Sequence, residues 1–121
     1  MLPAAHRMRR SREFSAATRH GQRAGRASLV VHVASGSVLE PTRVGLVVSK
    51  QVGNSVVRHR VARRLRGVLA ERVERWPSGR LIVVRALPPA ATYSSGKLAA
   101  DLDRAWAAAL SKTSGRPKER K

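Results

Sequence analysis

The chain has 121 residues, which fits one domain and is too short for two independent cores. Lys and Arg number 25 against 7 Asp and Glu, a formal charge of +18, while 42% of residues are apolar; this describes a folded basic domain with a polyanion, nucleic acid first, as its partner, and excludes a wholly disordered basic tail. The absence of cysteine excludes a disulfide framework, a thiolate metal site and a cysteine nucleophile; no run of about 18 apolar residues suggests a membrane span; and the opening MLPAAHRMRRSREF lacks the apolar stretch of a signal peptide.

Ser11-Arg-Glu-Phe14 opens a first helix that reaches about Arg19, with Ser11 as its cap and His20-Gly21 as its stop. Ser28 to Val33 alternates as a strand, with Leu29, Val31 and Val33 on one face and Ser28, Val30 and His32 on the other. The stretch ASGSVLEP is a connecting loop. Arg43 to Ser49 is a second strand, with Val44, Leu46 and Val48 on one face. A central helix follows, then a third strand, Leu81 to Arg85, which Pro88-Pro89 ends. The last helix runs from about Ser95 to Leu110 and buries Leu98, Leu102, Ala105, Trp106 and Ala109. The chain through residue 111 is one RNA-binding domain, and the Lys/Ser/Gly/Pro composition of 112–121 reads as a basic disordered tail. The order α-β-β-α-β-α, with room for one more short strand, indicates an α+β fold built as a two-layer α/β sandwich. Its strand–helix–strand unit, Arg43 to Arg85, can pair the two strands in parallel.

The charge is unevenly spread. Residues 41–70 hold six Arg and one Lys and no acid, while Glu71, Glu74, Asp101 and Asp103 sit in two short stretches further on. The segment Ser49 to Arg66, SKQVGNSVVRHRVARRLR, contains the turn Gly53-Asn54-Ser55, whose Asn or Ser can cap the helix that follows. At about 100° per residue from Val57, the residues Val61, Leu65 and Val68 share an apolar stripe. Arg63 then lies at about 240°, opposite that stripe, with His59, Arg60 and Arg66 also pointing outward and Arg58 and Arg64 at the stripe's flanks. An ordinary solvated face interleaves Glu with Arg for support at i, i+4. This one carries five Arg between residues 58 and 66 with no acid, which favours a surface for phosphates, where planar guanidinium groups bind in pairs of hydrogen bonds.

These residues resemble the protein subunit of bacterial ribonuclease P. The likeness is carried by Val47-Val-Ser-Lys50-Gln-Val-Gly53-Asn54-Ser-Val-Val-Arg58-His-Arg60-Val-Ala-Arg63-Arg64-Leu-Arg66, by the opening His6-Arg-Met-Arg-Arg-Ser-Arg-Glu-Phe14, and by the strand Leu81-Ile-Val-Val-Arg-Ala, and it covers about residues 2–110. The family pattern has Asn in the middle of Arg-Asn-Arg where this chain has His59. Thr18 replaces a second aromatic of the first helix, and His32 a strand aromatic of some relatives. The resemblance implies an α/β sandwich with a left-handed βαβ crossover. It implies a cytoplasmic partnership with a catalytic RNA that removes the 5′ leader from precursor tRNA, the Mg²⁺ being used by that RNA and not by a protein metal site. Neither a membrane nor a small-molecule substrate is implied. By the same resemblance Lys50, Asn54, Arg58, His59, Arg60, Arg63, Arg64 and Arg66 bind the catalytic RNA, and Phe14, His32 and Val47 line a cleft for the leader.

Plainer readings stand beside these. Phe14, the only Phe, could anchor the first helix in the core; His32 could be a solvent-facing histidine; Trp76 and Trp106 read as core. The acids offer only Glu71/Glu74 and Asp101/Asp103 as near pairs, with Glu71 and Glu74 beside Arg75, and the histidines lack metal-ligand spacing, so catalysis by protein groups alone is not expected. The alternative function is a structural RNA binder such as a small ribosomal protein.

Overall fold

The computed structural model describes residues 4–8, 11–35 and 39–114. The chain runs α1 (Ser11–His20), β1 (Gln22–Gly25), β2 (Leu29–Ser35), β3 (Arg43–Val47), α2 (Ser55–Ala70), β4 (Arg80–Ala86) and α3 (Ser95–Ser114), joined in part by short 3-10 turns at Lys50–Val52, Val73–Arg75 and Pro88–Thr92. This is the expected order with one added strand, β1. The strands form one mixed sheet in the order β1-β2-β4-β3. β2 pairs antiparallel with both β1 and β4, and β3 lies parallel to β4, so Arg43 to Ala86 is the strand–helix–strand unit the sequence suggests.

Alternation along the strands gives the sheet two different faces. Leu29, Val31 and Val33 of β2, Val44 of β3, and Ile82 and Val84 of β4 form one buried layer. Against it pack Val61, Leu65, Val68 and Leu69 of α2 and Leu98, Leu102, Ala105, Trp106 and Ala109 of α3, which is the α3 stripe expected. Val57 is only partly buried at the start of the helix, and the apolar side of α2 also takes in Ala62 and Leu69. Trp76 stacks on Trp106 with ring centroids 4.2 Å apart and planes at 17°, so both tryptophans serve the core side. On the opposite face a smaller layer of Met8, Ala17, Ala34 and Val83, with Phe14, Val47 and Leu81 at its border, seats α1. The sandwich of sheet and α2/α3 thus carries α1 across part of its other side.

Local chemistry explains several boundaries. The Asn54 side chain accepts a hydrogen bond of 3.0 Å from the Val57 N–H and starts α2. Gly21 follows α1 because a Cβ there would collide with the carbonyls of Ala17 and Val33. Asp101 on α3 accepts from both the Ser28 N–H (3.1 Å) and the Ser28 hydroxyl (2.6 Å), pinning the start of β2 to the helix layer. Two boundaries differ from the sequence expectation. β3 stops at Val47 because Lys50–Val52 turns toward α2, and α3 continues past Leu110 to Ser114. Lys112, expected in the tail, donates 2.7 Å from Nζ to the Arg23 carbonyl; residues 115–121 of that tail lie outside the described residues.

Candidate nucleic-acid interface

The outward face of α2 is an arginine surface with a defined internal order. Lys50, His59, Arg63 and Arg66 are exposed, while Arg58, Arg60 and Arg64 are half-buried. The half-buried three are tied to backbone oxygens: Arg58 Nε donates to the Gly53 carbonyl (3.2 Å), Arg60 to Ala91 (3.4 Å) and Arg64 to Tyr93 (2.7 Å). The expectation that Arg60 points freely outward is corrected here, because the Pro88–Thr92 turn brings a carbonyl beneath it. A carbonyl holds a guanidinium in place without cancelling its charge, and each Arg has donors left over. Arg63 and Arg66 have no hydrogen bond or ion pair with the described residues. Asn54 is placed at the start of this face and is engaged as its cap.

The acids are elsewhere. Arg72, just beyond α2, lies 2.7 Å from Asp103 and 3.2 Å from Glu71, so Glu71 pairs with Arg72 and not with Arg75 as its spacing suggested. Arg43 lies 3.4 Å from Glu13 and 3.8 Å from Glu40. Among the described residues no group of three His, Asp or Glu is arranged to hold a metal ion.

The second surface is the sheet face that carries α1. Strand register places Arg23, His32, Val83 and Gly45 in one row across the sheet, and Gly25, Val30, Arg85 and Val47 in the next. Phe14, His32 and Val47 are therefore brought to one side of the sheet. The Phe14 ring lies against the β3 backbone, where only glycine fits: a Cβ on Gly45 would run into the ring and come within 3.0 Å of the Met8 sulfur. Phe14 is half-buried, so part of the side chain remains accessible. It borders a cavity of about 430 Å³ at the β3 edge, lined also by Arg7, Met8, Gly45, Arg66 and Leu69, where this surface meets the arginine face of α2. His32 is 8% exposed and sits away from that cavity, between Arg23 and Val83 in its row. Its Nδ1 has no hydrogen-bond partner among the described residues. Burial first, then the positive charges of Arg23 and Arg85, holds its pKa below the ordinary 6.5, so the ring is neutral at pH 7. Thr18, where a second aromatic would stand, turns its hydroxyl back to the Phe14 carbonyl at 2.9 Å.

Arg85 and Arg7 join these surfaces although the sequence reading does not single them out. The alternation Leu81, Val83, Arg85 along β4 is enough to place Arg85 beside Val47 on this face; Arg7 carries no such signal, because its position depends on a bridge to Val44.

The chain matches the family model described as Ribonuclease P over residues 2–110. It is 57% identical over 103 residues to a Ribonuclease P protein component from Beutenbergia cavernae, covering 85% of this chain and 87% of that one. A protein of the same name from a Nocardioides species is 52% identical over 106 residues, covering 86% and 91%. The fold is similar to an RNase P protein from Staphylococcus aureus (TM-score 0.74, 24% identity, 87% of this chain and 95% of that one) and to one from Thermotoga maritima (TM-score 0.70, 20% identity, 81% and 92%). Sequence match and fold agree, and the chain belongs to the ribonuclease P protein family.

Proposed function

We propose that the two surfaces divide the work of a ribonuclease P protein component: α2 grips the catalytic RNA and the α1 side of the sheet receives the leader. The chain is part of an endoribonuclease holoenzyme and assists an RNA in maturing the 5′ end of tRNA. The ribosomal-protein alternative has no support beside this family membership. Within that function, Lys50, Arg58, His59, Arg60, Arg63, Arg64 and Arg66 meet phosphates of the RNA, and Asn54 sets the helix that presents them. The observation that supports this best is a cationic face whose arginines are ordered by carbonyls instead of carboxylates.

An extended leader crosses the row of Val30, Arg85 and Val47 beside α1. One base stacks on the accessible part of the Phe14 ring and Arg85 meets the leader backbone. His32 supports that floor from within the sheet. Hydrolysis and its Mg²⁺ belong to the RNA, and precursor tRNA and the catalytic RNA are the partners, met in the cytoplasm. Cleavage assays separate the protein's share from the RNA's. The chain alone should leave precursor tRNA intact; with ribonuclease P RNA and Mg²⁺ it should promote 5′ maturation at low salt. Metal-dependent cleavage by RNA-free protein, abolished on mutating Glu71 or Asp103, would overturn this division.

A further inference from the structure

Gly67 is a residue of α2 that the fold itself does not require. It lies inside the helix, where glycine is less favourable than alanine because the unfolded chain gives up more freedom in ordering it. Gly21 and Gly45 are glycines because a Cβ would strike backbone or the Phe14 ring, but a Cβ built on Gly67 has no heavy atom within 4 Å. Its backbone is not in the positive-φ region that Gly53 and Gly79 occupy. What distinguishes Gly67 is its place. It is exposed, one turn beyond Arg63 and beside Arg66, and two shallow grooves meet at it. One, of about 560 Å³, runs past His59, Arg63 and Arg66. The other, of about 400 Å³, lies between α2 and α3 and is lined by Arg63, Arg64, Ser95 and Gly96. Arg63 and Gly67 border both. The unpaired cations Arg63 and Arg66 thus flank a gap in the side-chain surface of the helix.

We propose that Gly67 sets how closely RNA approaches α2: the sugar–phosphate backbone of the catalytic RNA crosses the helix there, in van der Waals contact with the α2 main chain, with Arg63 and Arg66 reaching phosphates on either side. This rests on the reading of α2 as the face for catalytic RNA. A polyanion is the occupant because the groove walls supply arginine donors and a single acid, Glu71, one turn beyond Gly67, which is paired with Arg72 at 3.2 Å. A methyl group at this position would fill the gap, lift the strand by a fraction of its contact distance, and weaken the charged hydrogen bonds beside it while the phosphates stay within reach of the arginine charges. The helix would meanwhile become more stable, so fold and binding should move in opposite directions.

The experiment compares Gly67→Ala, Gly67→Leu and the Arg60/Arg63/Arg66→Ala triple variant in binding to ribonuclease P RNA over a range of salt, with thermal unfolding of each free protein. Gly67→Ala should raise the unfolding midpoint yet weaken binding by about tenfold, the scale of an overpacked contact, and Gly67→Leu should weaken it further. Gly67→Ala should keep the wild-type salt slope, because the same phosphates are still neutralised. If Gly67→Ala binds as tightly as wild type while the triple variant binds weakly, the proposal is overturned. A flattened salt slope for Gly67→Ala would overturn it too. If the triple variant itself binds like wild type, the failure lies with α2 as the RNA face.

Discussion

Arg72 and Arg43 sit between carboxylates, while the arginines of α2 sit on carbonyls or on nothing. Arg72 bridges Glu71 and Asp103 and so fastens the end of α2 to α3; Arg43 bridges Glu13 and Glu40 and so fastens α1 to the sheet edge. Their charge is used up inside the molecule. On α2, Arg58, Arg60 and Arg64 are held by Gly53, Ala91 and Tyr93 oxygens, which orient them and leave the charge whole. The same side chain is thus neutralised where an acid meets it, as at Arg72, which also donates to the Val68 carbonyl, and keeps its charge where only a carbonyl does. Counting arginines does not separate the two sets; the presence or absence of a carboxylate opposite them does.

The contrast can be broken most severely at α2. Replacing Arg60, Arg63 and Arg66 together with alanine should leave the fold intact, since none of the three belongs to the buried stripe. Binding to the catalytic RNA should collapse at moderate salt, and the slope of log affinity against log salt should fall by roughly 2 to 3, about 0.7–0.9 for each phosphate no longer neutralised. An unchanged slope in a filter-binding titration would place the RNA elsewhere. The opposite limb is Asp101, an acid that serves only the fold. Asp101→Ala strands the buried Ser28 hydroxyl and N–H, and denaturant melts should show a drop in stability of about 1–3 kcal/mol. RNA affinity of the folded fraction should not change.

Phe14 tests the sheet surface in the same terms. Phe14→Ala should weaken holoenzyme binding of leader-bearing precursor by about 1–2 kcal/mol, the value of one stacked base, with mature tRNA unaffected. If it chiefly unfolds the protein, as truncating a buried ring at a cost of roughly 3–5 kcal/mol would, or weakens precursor and mature tRNA equally, Phe14 is a core residue only. The smallest effect belongs to His32. Its pKa is depressed in the fold, so the unfolded chain takes the proton first as pH falls. The contribution is complete above about pH 6.5 and should decline below it. Urea midpoints of wild type and His32→Gln between about pH 5 and pH 7.5 check this; parallel pH dependence in the two proteins would remove His32 as the source.

Much of this is readable from residues close together in sequence. The α2 face follows from the 100° turn between successive residues, and the burial of Leu98, Leu102, Ala105, Trp106 and Ala109 from the same rule. β1 is legible only as room for an extra strand, because Gln22-Arg-Ala-Gly25 is short and half polar and becomes a strand only by pairing with β2. The end of α3 is hidden from the sequence because Lys112 reads as tail chemistry until a carbonyl of β1 is there to receive it. The tethering of Arg60 is hidden because Ala91, its acceptor, lies 31 residues away. The family resemblance groups Phe14, His32 and Val47 in one cleft, but nothing in the sequence shows that Gly45 is what lets the ring lie against β3.

The treatment of the sheet margins has a consequence for the protein before it meets RNA. β1 and β3 are the outer strands, and open strand margins recruit strands from other chains. Beside β3, Arg7 forms a bridge with Val44 and the Met8 N–H donates 3.0 Å to the Val44 carbonyl. At β1, a strand of only four residues, the Lys112 ammonium occupies the Arg23 carbonyl. Both margins are therefore partly blocked against edge-to-edge polymerisation, one by the chain's own opening segment and one by a positive charge. Pairing of one copy with the outer strand of another is thus opposed at both margins, by backbone pairing on one side and a lysine on the other.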